Sequence, residues 1–137
     1  MAPGEHSSIQ LDFAYDERLP DPPVFVAVPR GDGEAPVVVR SASRELSLAW
    51  KAQWISAGQA RDGRVAGKDL YDAVLLAELD GMRLSDRLRR MVLRAVPDPS
   101  AVRDWDVDWS GVGRHASGDP RDWLDRLAQA LRRLMVT

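Results

Sequence analysis

From residue 43 onward the sequence is a series of apolar-periodic segments. Each is opened by a capping residue or closed by glycine or proline, a pattern that demands helices. Ser43 stands as an N-cap before Arg44, Glu45 and Leu46, with Glu45 favourable in the first turn. Leu46, Trp50 and Trp54 recur every four residues, which predicts a helix with one buried face that ends at Gly58. A second helix is expected from about Asp69 to Leu79, with Gly81 as its C-cap. Its middle, residues 73–77, is apolar all round and predicts a central, buried position. Ser85 caps a third helix through Val96, ended by Pro97 and Pro99. The last helix runs from about Pro120 to Met135, with Trp123, Leu124, Leu127, Leu131 and Leu134 as its apolar stripe. Residues 100–118 carry Trp105, Trp109 and three glycines, and read as an ordered loop or short turns.

The first third leans toward strands. In residues 8–16, Ile9, Leu11, Phe13 and Tyr15 alternate with Gln10, Asp12, Ala14 and Asp16, the period of a half-buried strand. Pro20, Pro22 and Pro23 then interrupt regular structure. Phe25 to Val28 and Val37 to Arg40 are short β-branched runs flanking the Gly31–Gly33 turn, which predicts a hairpin. The expected fold class is α+β: two or three strands packed on a bundle of about four helices. One domain is expected over residues 1–137, β-rich to residue 42 and helical from 43.

Composition narrows the function classes. The chain of 137 residues has no cysteine, which excludes disulfides and thiolate metal sites. No apolar run approaches the roughly 20 residues of a membrane span, and the N-terminus lacks the basic-then-apolar pattern of a signal peptide. A cytoplasmic protein without membrane partners is expected. The net charge of −2 argues against nucleic-acid binding driven by total charge, while leaving room for a local basic patch. Lysine is scarce: Lys51 and Lys68 stand among 19 basic residues.

Three groups of residues carry candidate chemistry. Lys51 follows Trp50 and sits about 100° round the helix from the aromatic stripe, at the edge of the buried face. From there its stem can lie on apolar surface and its ammonium can meet a phosphate, or it can be a solvated surface lysine. Asp69 and Asp72 are three apart at a helix start and share a face. Such a pair can organise a divalent metal or take a proton from a nucleophile. It can also be a cap, Asp69 at the N-cap and Asp72 at the third helical position. Asp12, on the polar face of the first strand, is either a metal ligand or an exposed edge acid. His6 and His115 have no nucleophile pattern beside them, and Asp104, Asp106 and Asp108 lack the glycine and distal glutamate of an EF-hand loop.

Taken together, these residues resemble the AbiEii nucleotidyltransferase family, which includes toxins of type IV toxin–antitoxin systems. The family motif L-x3-aromatic-K-x2-aromatic-x3–6-R is matched by Leu46, Trp50, Lys51, Trp54 and Arg61. The next motif, D-x2-D-x6-L/I, is matched by Asp69, Asp72 and Leu79, its two aspartates lying within the phrase Gly-Lys-Asp-Leu-Tyr-Asp typical of members. The resemblance implies a polymerase-β-like nucleotidyltransferase fold and transfer of a nucleotidyl group from an NTP, with Mg²⁺, to an RNA or protein acceptor. By the same resemblance Lys51 and Arg61 would bind substrate, Asp69 or Asp72 would be the catalytic base or metal organiser, and Asp12 an auxiliary metal ligand. Members open with Gly-Ser followed about ten residues later by D-D/E or D-x-D; no Gly-Ser lies upstream of Asp12 here. The resemblance therefore covers the C-terminal portion of the family pattern. It implies a truncated, split or degenerate form, with little activity on its own and an unpaired sheet edge covered by a homo-oligomer or a complementing chain. The alternative is a non-catalytic protein- or RNA-interaction module derived from that fold.

Overall fold

The computed structural model describes residues 18–112 and 118–136. The architecture is α+β, as the residue pattern implied. Strands β1 (Val24–Val28) and β2 (Val37–Ser41) form an antiparallel hairpin with Val26 opposite Val39. The chain continues through α1 (Arg44–Asp62), β3 (Val65–Ala66), α2 (Gly67–Ala77), α3 (Asp86–Ala95), a 3₁₀ turn at Pro99–Asp104, β4 (Val107–Asp108) and α4 (Pro120–Met135). The strand proposed for residues 8–16, with Asp12 and His6, lies outside the described residues, as does His115.

Helix α1 lies against both α2 and α3, while α2 and the 3₁₀ turn pack on α4. Leu46, Leu70, Leu88 and Leu131 are fully buried where these helices meet. Each such side chain contributes about 1.5–3 kcal/mol of apolar burial. Caps hold the helix starts. The Ser43 hydroxyl accepts from the Leu46 N–H at 3.1 Å and the Ser85 hydroxyl from the Leu88 N–H at 3.3 Å. The α4 stripe is buried along its length, Trp123 to Leu134.

Five expectations about α1 and α2 are corrected. Helix α1 does not stop at Gly58; it runs on to Asp62 and is closed by Gly63, whose φ of 70° is left-handed. The buried face of α1 is not the Leu46–Trp50–Trp54 stripe. It is formed by Leu46, Leu48, Ala49, Ala52 and Ile55, a broad arc, because α1 has a neighbouring helix on each of two sides. Trp50 is half-buried and Trp54 is 59% exposed. Residues 73–77 are not buried all round, since Leu75 is 41% exposed, and α2 ends at Ala77 instead of Leu79. Gly81, with φ 76°, turns the chain after α2 without capping it.

A parallel pairing gives no sequence signal. Val65 lies opposite Val107 and Ala66 opposite Asp108, and the Val65 N–H donates to the Asp106 carbonyl at 2.9 Å. Two residues per strand are too few to show a period. The pairing nevertheless draws the loop before α4 against the start of α2, and so places the candidate site. The acids Asp104, Asp106 and Asp108 are exposed, as expected of surface carboxylates.

Candidate functional site

The helix that bears Lys51 and the helix that bears the aspartate pair face one another. The Lys51 ammonium donates to Asp69 Oδ1 at 3.1 Å and lies 3.6 Å from Asp72 Oδ2. Its side chain is only 15% exposed, while the two carboxylates are 39% and 36% exposed. The lysine stem is thus covered and its charged end opens toward the surface through the carboxylates. The Trp54 ring lies beside the same ammonium, 5.0 Å from Nζ to the ring centroid. Lysine, two acids and an indole face therefore share one patch, contributed by α1 and the first two turns of α2.

Capping does not account for the acids. Helix α2 begins at Gly67 with Ala66 as its N-cap residue, and no side chain caps it. Asp69 is the third helical residue, not the cap, and both carboxylates point to Lys51. The sequence order predicted Asp69 as the cap because it is the first capping-type residue in the segment. The parallel β3–β4 pairing starts the helix two residues earlier.

Gly67 makes this placement possible. A Cβ there would stand 2.5 Å from Val112 Cγ2, 2.8 Å from the Asp108 carbonyl oxygen and 2.9 Å from the Trp109 ring. Only a residue without a side chain lets β4 and Trp109 approach the helix start so closely. The signal was present in the Gly-Lys-Asp-Leu-Tyr-Asp phrase, but its cause is a contact with residues about forty positions away. Behind the acids, the Tyr71 and Trp123 rings lie 5.2 Å apart at 54°, and Trp109 lies 6.0 Å from Trp123. The Arg126 guanidinium covers the Trp123 ring at 4.2 Å and pairs with Glu78, holding that carboxyl below its ordinary range. These contacts fix α2 on α4 and hence the direction of Asp69 and Asp72.

Arg61 is not brought to this cluster. It lies ten residues on from Lys51 along α1, about 15 Å by helical rise, and pairs with its neighbour Asp62 at 3.0 Å. Trp54, by contrast, is an exposed part of the patch and not the buried anchor its four-residue spacing predicts. As they stand, the described residues offer a Mg²⁺ ion no free carboxylate pair. A Mg²⁺ ion is commonly held by one or two carboxylates together with water and substrate phosphate, but both carboxylates here already face the Lys51 ammonium, which an ion between them would have to displace. Among the described residues no group of three or more acidic or histidine side chains converges.

The described residues form an α+β body in which a covered lysine on one helix meets an aspartate pair on the next. Residues 2–135 match the family described as nucleotidyl transferase AbiEii toxin, type IV TA system. The match takes in nearly the whole chain, and the chain belongs to that family. No curated protein and no solved structure gives a significant match. Among the described residues no helix is long and apolar enough to cross a membrane.

Proposed function

We propose that Lys51, Asp69, Asp72 and Trp54 form the nucleotide-phosphate end of a nucleotidyltransferase site that moves a nucleotidyl group from an NTP to an RNA or protein acceptor. The observation that carries this reading is the covered Lys51 ammonium held 3.1 and 3.6 Å from the two aspartates beside an exposed indole. The resting cluster carries one positive and two negative charges. A triphosphate approaching it gains attraction only when Lys51 leaves a carboxylate for a phosphate oxygen. The carboxylate so released is then free to take the proton of the acceptor hydroxyl. That hydroxyl oxygen attacks the α-phosphorus, the bond to the bridging oxygen breaks, and pyrophosphate leaves. The exposed Trp54 face offers a stacking surface for the base. Arg61, at the far end of α1, would serve as an outlying cation for the substrate.

Metal chemistry in this reading depends on carboxylates outside the described residues, either Asp12 or acids of a complementing chain. The chain alone is therefore expected to bind NTP but transfer poorly. Two measurements test this. Titration with ATP should shift the amide resonances of residues 50–54 and 68–72, and Lys51→Ala should weaken that response by about tenfold or more, the loss of one charge-assisted contact. Unchanged affinity in Lys51→Ala removes the phosphate-binding role. Labelled-NTP transfer with Mg²⁺ to bulk tRNA should be slight for this chain alone; robust transfer shows that nothing further is needed.

One observation favours the second reading, a protein-interaction module. The β1–β2 hairpin exposes apolar side chains, Phe25 at 73% and Val38 at 64%, with Val37 at 48%. Among the described residues the hairpin has no third strand; a two-stranded hairpin by itself is marginal in water, and an exposed apolar face invites a cover. A homo-oligomer, an antitoxin or a complementing chain would cover it. Light scattering is expected to show a species larger than the monomer, reduced to monomer by Phe25→Asp and Val38→Lys together. A stable wild-type monomer counts against coverage by a second copy.

A further inference from the structure

We propose that a second, separate cleft binds a phosphate-bearing nucleotide. It lies at the opposite end of α2 from Asp69 and Asp72, between the α2–α3 connection, α3 and the last turn of α4. Its volume is about 610 Å³, within the range of small-molecule sites. Three guanidinium groups line it, Arg83, Arg89 and Arg133, together with the apolar side chains of Met82, Leu84 and Leu134. No acidic side chain is among the residues that line it.

The three arginines are not equivalently engaged. Arg89 pairs with Asp86, whose carboxylate is 76% exposed. Arg133 donates to the Ala77 carbonyl at 3.4 Å, which points its guanidinium across the end of α2. Arg83 makes no hydrogen bond or ion pair among the described residues and is exposed. Arg89 and Arg133 already have anionic neighbours, Asp86 and Glu78, so Arg83 is the cation that an anion entering the cleft would neutralise, with the other two guanidinium groups in the same lining. A carboxylate is satisfied by one guanidinium fork, whereas a phosphate has oxygens for two or three. Val136, 76% exposed, with the outer edges of the otherwise buried Met82, Leu84 and Leu134, provides an apolar side for the flat face of a base. Phosphate on the arginines and base on the apolar side describe a nucleotide, whether free or part of an RNA strand. The inference does not depend on Lys51, which is carried by α1 and meets the other end of α2.

The test is residue-resolved NMR titration of the whole chain with AMP and, separately, with a short single-stranded RNA. Both should act on the amides of residues 82–84 and 134–136 if the ligand is any nucleotide. A response to RNA alone assigns the phosphate to a strand, and a response to AMP alone assigns it to a free nucleotide; each supports the site. Arg83→Gln should weaken the response about tenfold with an unchanged melting temperature, because Arg83 has no partner to lose among the described residues. Lys51→Ala should leave it intact. Absence of shifts at these amides with either ligand overturns the proposal. So does an equal response to polyglutamate, or undiminished affinity in Arg83→Gln.

Discussion

Replacing Trp123 by alanine is expected to lower the stability of the folded chain by about 3–5 kcal/mol, the range for removing a buried indole. The ring is 6% exposed on α4. It meets Tyr71 of α2 at 5.2 Å and Trp109 of the preceding loop at 6.0 Å, and carries Arg126 on its face. Its loss opens a cavity where three segments meet, and leaves the Arg126–Glu78 pair without its apolar floor. Urea denaturation should show a lower midpoint with little change in slope. Trp123→Phe, which keeps a ring against Tyr71, should cost less than half as much. The experiment also decides what the α4 stripe is for. If Trp123→Ala left stability unchanged, the ring would be serving a partner and not this core.

Gly67→Ala is expected to destabilise by about 2–3 kcal/mol, as overpacking against rigid neighbours does. The sign makes the experiment informative. In an open helix, glycine to alanine stabilises by up to about 1 kcal/mol. Here the new methyl would meet Val112 at 2.5 Å and the Asp108 carbonyl at 2.8 Å, and a backbone oxygen cannot swing aside. Thermal unfolding should show Tm falling by roughly 10 °C. Because β4 and Trp109 would be pushed from the start of α2, the variant should also shift the resonances of Asp69 and Asp72. A rise in Tm would mean that β4 does not hold this helix end.

How much was legible in the sequence varied with the range of the interaction. The starts of α1 and α3 were readable because Ser43 and Ser85 act on N–H groups three residues away. The span and buried face of α4 were readable because its buried Trp123, Leu124, Leu127, Leu131 and Leu134 recur at the three- and four-residue spacing of a helix. The buried face of α1 was not, since packing against two helices widens the arc and frees Trp54 to lie outside it. Helix α2 was misplaced at both ends. Its start depends on β4, about forty residues downstream, and its acids looked like caps because nothing local shows that Lys51 claims them.

The chain's own order of residues determined that a lysine helix and an aspartate helix exist, where most helices begin, and which family pattern they match. These are consequences of short-range hydrogen bonds and of apolar periodicity. Tertiary structure alone decided that Lys51 reaches both aspartates, that Arg61 does not join them, that Gly67 is wedged beneath Trp109, and that three arginines share one cleft. Each of these is set by how helices are stacked, and the stacking is settled by contacts between residues far apart in the chain.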